Sequence, residues 1–325
     1  MRELEPAMTT TPTVLCPVDF SEASRAALRY AAAIAEHFRA KLILLTVEDP
    51  LLTEALDLGA GVVWDPEVIR KELRKLAAKV FDPAPPIGVT VLYEVAVGKP
   101  AEEILRVAAT TSPDLIVMST HGLTGMRKLF FGSTTERVLR ETTVPVLATP
   151  PIDPGPLRAS DARGLLRRIV VPLDLSAASL HQMQVARGIS ESLNIPLIAV
   201  HVVEPIRTPL AAKLQKAHIE HERQTRAEDL LQQMLATVPR KLQPESLVLY
   251  GDPAEEIAKL ARDRQAGLIV VGLHGSPLRG PRMGSVTYRV LCLAPTLVFA
   301  LPPMAVAAIV ADATTGSQVK SFVYK

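Results

Sequence analysis

The sequence predicts an α/β protein built from two doubly wound parallel sheets in tandem. Short β-branched apolar runs alternate with longer segments of helical spacing, the pattern of strands joined by crossover helices. The apolar runs are continuous rather than alternating, as in strands covered on both faces. The whole pattern also occurs twice. VLCPVDFSEAS (14–24) returns as IVVPLDLSAAS (169–179), and LILLTVEDP (42–50) as LIAVHVVEP (197–205). GKPAEEILRVA (98–108) returns as GDPAEEIAKLA (251–261), DLIVMSTHG (114–122) as GLIVVGLHG (267–275), and FGSTTERVL (131–139) as MGSVTYRVL (283–291). Five blocks in one order at near-constant spacing are a duplication.

Each element has a local cause. In the first copy Val14–Val18 reads as a buried strand, and Ser21 caps a helix whose Ala26–Ile34 stretch packs on the sheet. Leu42–Val47 is the second strand. Pro66–Val80 is a helix with Val68, Ile69, Leu73, Leu76 and Val80 in one stripe. Val89–Val95 is the third strand, Ala101–Ala109 a helix and Leu115–Met118 the fourth strand. Thr134–Arg140 and Val144–Ala148 close the copy as helix and strand, and the second copy repeats the series. Right-handed crossovers then give one doubly wound layer per copy. The domains are expected at 10–150 and 166–303. The Pro-, Gly- and charge-rich 151–165 links them, and a tail at 304–325 fits neither copy.

Composition narrows the function classes. At about 150 residues per domain, 325 residues suit two domains. With 48% hydrophobic and 22% charged residues the chain has apolar surface enough to fold. Lys+Arg 36 against Asp+Glu 34 leaves +2, no field to recruit nucleic acid or an anionic membrane. Aromatic residues, at 4%, supply few stacking platforms for single strands. Two cysteines, Cys16 and Cys292, exclude a disulfide-built scaffold and a Cys-based zinc site; both read as buried, inert thiols. MRELEPAMTTTP lacks the apolar stretch of a signal peptide. Val290–Ala311 is uncharged and long enough to span a bilayer, but Pro295, Pro302 and Pro303 interrupt it; it reads as a buried strand followed by a tail. The expectation is a cytoplasmic protein with no membrane or nucleic-acid partner.

Ligands of such sheets bind beyond the carboxyl ends of the strands, where strand order reverses. Asp19 and Asp174 follow the first strand of each copy. Two readings stand side by side: a carboxylate accepting hydrogen bonds from a ribose or an adenine amine, or a cap for the adjacent helix. After the fourth strand come Ser119-Thr120-His121-Gly122, nine residues (123–131), then Gly132-Ser133-Thr134 opening a helix. Glycines let backbone N–H groups approach a phosphate, and the helix start adds partial positive charge. Copy two has Gly272-Leu273-His274-Gly275, eight residues (276–283), then Gly284-Ser285.

These residues resemble the universal stress protein family, over nearly the whole chain and in both copies. The family's G-x-x-G, nine residues, G-[ST] pattern is matched in copy one with Ser119 for the first glycine. In copy two it is matched with one residue fewer, and with Pro277 and Pro281 in the loop. The resemblance implies an adenine-nucleotide α-hydrolase-like fold and ATP as ligand, with or without Mg. It implies adenosine contacts at Asp19 and Val47 and at Asp174 and Val202, the valines acting through backbone groups. Phosphate contacts are implied at Ser119, Gly122, Gly132, Ser133 and Thr134, and at Gly272, Gly275, Gly284 and Ser285. It also implies last-strand pairing, either in a homodimer or between Val144–Ala148 and Thr296–Ala300 of one chain, hiding two sheet edges.

Other signals carry less. Gly59-Ala60-Gly61 lacks the third glycine of a dinucleotide fingerprint, where Trp64 stands; no Walker P-loop or G-x-S-x-G elbow occurs. His218, His221 and Glu222 read as a solvated helix face. His121 and His274 either polarise a phosphate or pack in a loop. Arg127, Lys128, Arg279 and Arg282 either screen phosphate charge or face solvent. The function expected is an ATP-binding stress-response regulator with an unknown protein partner, not an enzyme. The alternatives are a nucleotide-free interaction scaffold and a slow ATP hydrolase.

Overall fold

The computed structural model describes residues 11–51, 65–82, 84–120, 132–176, 178–206, 213–236, 244–273 and 283–303. The first copy forms β1 (Thr13–Pro17), α1 (Glu22–Phe38), β2 (Lys41–Glu48), α2 (Pro66–Val80) and β3 (Val91–Val97). It continues with α3 (Pro100–Thr111), β4 (Leu115–Ser119), α4 (Ser133–Glu141) and β5 (Val146–Thr149). A 3-10 turn (Ala159–Asp161) and α5 (Ala162–Leu166) follow. The second copy forms β6 (Ile169–Pro172), α6 (Ala178–Leu193), β7 (Leu197–Val203), α7 (Lys213–Ala236) and β8 (Glu245–Tyr250). Then come α8 (Pro253–Asp263), β9 (Leu268–Gly272), α9 (Ser285–Leu293) and β10 (Leu297–Leu301).

The strands make one ten-stranded sheet in the order β3-β2-β1-β4-β5-β10-β9-β6-β7-β8. All neighbours are parallel except β5 and β10, which run antiparallel with Val298 opposite Ala148, Phe299 opposite Leu147 and Ala300 opposite Val146. The expected pairing of the two last strands is therefore made inside one chain. Apolar strands alternate their side chains between two helix layers. Val14, Cys16, Leu42 and Leu44 join Leu28, Leu73 and Ala77 on one face. Leu15, Ile43 and Leu45 join Ile104, Val107 and Val138 on the other. Each fully buried aliphatic side chain contributes about 1.5–3 kcal/mol.

Helix starts follow the local chemistry. Ser21 has extended backbone, and its Oγ accepts the Ser24 N–H at 3.1 Å, capping α1. Asp65 caps α2 through the Glu67 N–H at 2.8 Å, with Pro66 next in line. In the second copy Asp252 caps α8 through the Glu255 N–H and pairs with Arg289 of α9 at 2.5 Å. In the first copy Arg137 of α4 reaches Glu102 of α3 at 2.9 Å, so the same two helices are braced in both copies. The segment between the copies is fastened to α1: Arg158 pairs with Glu36 at 2.7 Å, and Asp153 with Arg29 at 2.9 Å.

Several expectations need correction. Val68 is 57% exposed and lies off the buried stripe of α2, which runs through Leu73, Leu76, Ala77 and Val80. The third strand begins two residues later than expected, because Leu42 donates its N–H to the Thr90 carbonyl and the ladder proper starts at Val91. Val290–Leu293 close helix α9, so among the described residues of the long apolar run only Leu297–Leu301 is strand. Cys16 is fully buried, and burial drives its thiol far above the ordinary range; Cys292 is only half-buried. Among the described residues, no helix is long and apolar enough to cross a membrane.

Candidate functional site

In the first copy β1 and β4 pair only at Val14–Leu115 and Leu15–Ile116, and then separate. Their second-copy equivalents, β6 and β9, pair only at Ile169–Leu268 and Val170–Ile269. A crevice therefore opens toward the carboxyl ends in each copy. It lies where the chain order reverses, with β2 and β3 on one side and β4 and β5 on the other.

Asp19 stands on the rim of the first crevice. Its Oδ1 accepts the Ser21 N–H at 3.1 Å and the Ser21 O–H at 2.5 Å. The carboxylate does not cap α1 itself; it orients Ser21, which does. Between them Phe20 takes φ 62°, a left-handed conformation that costs a bulky residue about 1–3 kcal/mol. Leu175 repeats it at φ 61°, after Asp174. There Oδ1 accepts from the Ser176 N–H at 3.0 Å, the Ser176 O–H at 2.6 Å and the Ser179 O–H at 2.5 Å. Burial pushes the Asp174 carboxyl up, but the hydrogen bonds from Ser176 and Ser179 outweigh it and hold it below its ordinary value. No sequence motif marks Phe20 or Leu175, since neither is a glycine.

Val47 lies near the end of β2, opposite Ala96, and Val202 near the end of β7, opposite Leu249. One residue on, Glu48 O accepts the Gly98 N–H at 3.0 Å and Val203 O accepts the Gly251 N–H at 3.1 Å. Gly98 and Gly251 have φ 153° and 149°, and a Cβ there would stand 3.0 and 2.9 Å from the Cγ of Glu103 and Glu256. Both positions demand glycine. The repeated blocks contain them, yet no binding pattern singled them out.

Gly132 and Gly284 are the N-caps of α4 and α9, and neither end has a side-chain cap. Gly132 donates its N–H to Thr120 O and Gly284 to Leu273 O, each at 3.0 Å. Thr135 Oγ1 donates to Ser119 O at 2.9 Å, and Thr287 Oγ1 to Gly272 O at 2.8 Å. Each helix start is thus tied to the end of the preceding strand through a carbonyl, which Ser119 supplies as well as Gly272 does. Thr135 and Thr287 escaped the sequence reading; their recurrence in the fifth repeated block was the available signal. Ser133 and Ser285 are exposed in the first helical turn, and Thr134 is half-buried. The backbone of Gly132 (φ −61°) and Gly284 (φ −60°) is open to any residue. Among the described residues, a Cβ on Gly284 would meet nothing closer than Thr287 Oγ1 at 3.7 Å.

Gly122 and Gly275 lie outside the described residues, as do His121, His274, Arg127, Lys128, Arg279, Arg282, Gly59, Gly61, Trp64 and the tail at 304–325. His218 is exposed and pairs with Glu222 at 3.2 Å. Among the described residues no group of three metal-ligating side chains occurs.

The model of the universal stress protein family matches residues 11–150 and again 166–302. Universal stress protein MJ0531 of Methanocaldococcus jannaschii is 34% identical over 136 residues, covering 41% of this chain and 79% of the relative. Universal stress protein YxiE of Bacillus subtilis is 32% identical over 142 residues, covering 41% of this chain and 95% of the relative. A crystal structure of a universal stress protein from Archaeoglobus fulgidus superposes with a TM-score of 0.62 at 20% identity. It covers 90% of this chain and 99% of that one, a likeness of fold.

Proposed function

The chain belongs to the universal stress protein family, in two tandem copies, and from that premise we propose that it binds adenine nucleotide, ATP foremost, as the input to a regulator of the stress response. One observation carries the reading. The same rim carboxylate and the same uncapped glycine helix start flank a crevice at the strand switch point. In the first copy Asp19 and the backbone around Val47 would hold the adenosine. The N–H groups of Ser133 and Thr134 in the first turn of α4 would hold the phosphates, with Ser119, Gly122 and Gly132, whose own N–H is given to Thr120 O, in the approach. In the second copy the corresponding residues of the sequence are Asp174, Val202, Gly272, Gly275, Gly284 and Ser285.

The chemistry favours a binder over a catalyst. Asp19 and Asp174 both accept serine hydrogen bonds, which suits an acceptor better than a general base. A magnesium ion would arrive with the phosphates it neutralises. Nucleotide then acts by ordering the strand ends and helix start, which alters the surface offered to a protein partner.

Calorimetric titration with ATP tests the reading. Saturable heat is expected, with affinity reduced at least tenfold in Asp19→Ala. No heat at millimolar nucleotide removes it.

A further inference from the structure

The two crevices differ at their floor. In the second copy the buried Gln182 of α6 extends its Nε2 between the separating strands, donating to Pro172 O of β6 at 2.6 Å and to Val270 O of β9 at 2.8 Å. These carbonyls lie just past the last paired residues of the two strands. The side chain therefore spans the gap where the crevice begins. The position that Gln182 occupies is held in the first copy by Ala27, fully buried and with no polar atom to offer.

The rim differs in the same sense. Ser179 turns its hydroxyl onto Asp174 Oδ1 and accepts the Asp174 N–H at 3.2 Å, closing a ring around the carboxylate. Its counterpart Ser24 turns away, to Ser21: the Ser24 O–H donates to Ser21 O at 3.0 Å. The ring of His201 is bound through Nδ1 to Leu173 O at 2.8 Å, next to Asp174. The first copy has the small, buried Thr46 at that place. Gln182 at the floor and Ser179 and His201 at the rim thus each bond to the strand ends of the second copy or to Asp174.

We infer that Gln182 latches the second crevice shut, so that the chain takes one adenine nucleotide, in the first copy, while the second copy serves as its permanent structural partner. The inference rests on the nucleotide-binding reading above. A buried amide bonded to two carbonyls resists leaving, because its departure strands three polar groups. Parting the ends of β6 and β9 requires that departure.

The test uses the full chain and ATP, with 8-azido-ATP as a photolabel mapped by peptide mass spectrometry. Expected are a calorimetric stoichiometry of one and label confined to peptides of residues 11–150. Gln182→Ala, which installs the first-copy residue, should admit label to residues 166–302 at nucleotide concentrations where the parent shows none there. Two equivalents bound by the parent, or label in both copies, overturns the inference while leaving the nucleotide reading intact. Gln182→Ala that folds, by circular dichroism, and keeps the parent's pattern overturns the latch. Should that variant fail to fold, the parent's stoichiometry and label map still decide between one site and two. Silence in every titration rejects nucleotide binding itself, and this inference with it.

Discussion

Asp174 illustrates how one carboxylate ties folding to acidity. Its native pKa is held below the ordinary 3.8 because the hydrogen bonds from Ser176 and Ser179 overcome the cost of burial. A group whose pKa falls on folding stabilises the native state above its unfolded value. That stabilisation is lost as pH drops through the native value. Asp174→Asn should therefore be less stable than the parent in urea at neutral pH, with the gap closing as pH is lowered below 3.8. A gap that stays constant across that range would show the hydrogen bonds to be uncharged in effect. Gly98 and Gly251 make a second prediction at this scale. Gly98→Ala forces a side chain into a glycine-only backbone region and toward Glu103, and should cost about 1–3 kcal/mol in urea unfolding. Gly132→Ala, where φ is ordinary, should cost less than half as much. The glycines named for phosphate approach and those required by the backbone are thus different glycines. The sequence alone does not separate them, since φ is set by the tertiary course of the chain.

Among elements, the strand-to-helix joint carries most of the candidate site. Thr135 fixes the start of α4 to the end of β4 through Ser119 O. Thr135→Val keeps the shape and removes the donor, so it should cost about 1–3 kcal/mol and weaken ATP binding by letting the helix start drift. Unchanged affinity in a destabilised variant would separate the joint from the site. Strands and helices were legible because burial imposes its period on the sequence: β1, β2 and α2 fall within a residue or two of expectation. The exceptions have physical causes. Val68 follows the helical spacing yet faces outward, because the stripe of α2 is only as wide as its contact with the sheet. Phe20 and Leu175 adopt a glycine-like conformation without glycine, held by a serine–aspartate turn and by packing against the core. Gln182 was invisible for a related reason: a polar residue on an apolar helix face shows its purpose only when both carbonyls are seen.

For the whole molecule, the duplication and its internal pairing were readable because repeated blocks announce repeated layers and unpaired last strands demand cover. The non-equivalence of the layers was not readable to the same depth; it needed the two crevices side by side. Since β5 and β10 occupy each other's edges, the 325-residue chain should sediment as a single 35.1 kDa species. A stable mass of twice that value would mean that another surface, such as the outer strands β3 and β8, joins two chains.

The seam of β5 against β10 also bears on how such a molecule can change over generations. When two identical subunits meet, every substitution is spelled on both sides of the axis, and neither subunit can specialise without the other. Here the partners share one polypeptide, so an alteration such as glutamine in place of alanine on the first helix is written once. One half can therefore carry the bridging glutamine while the other carries alanine at the same place in the fold.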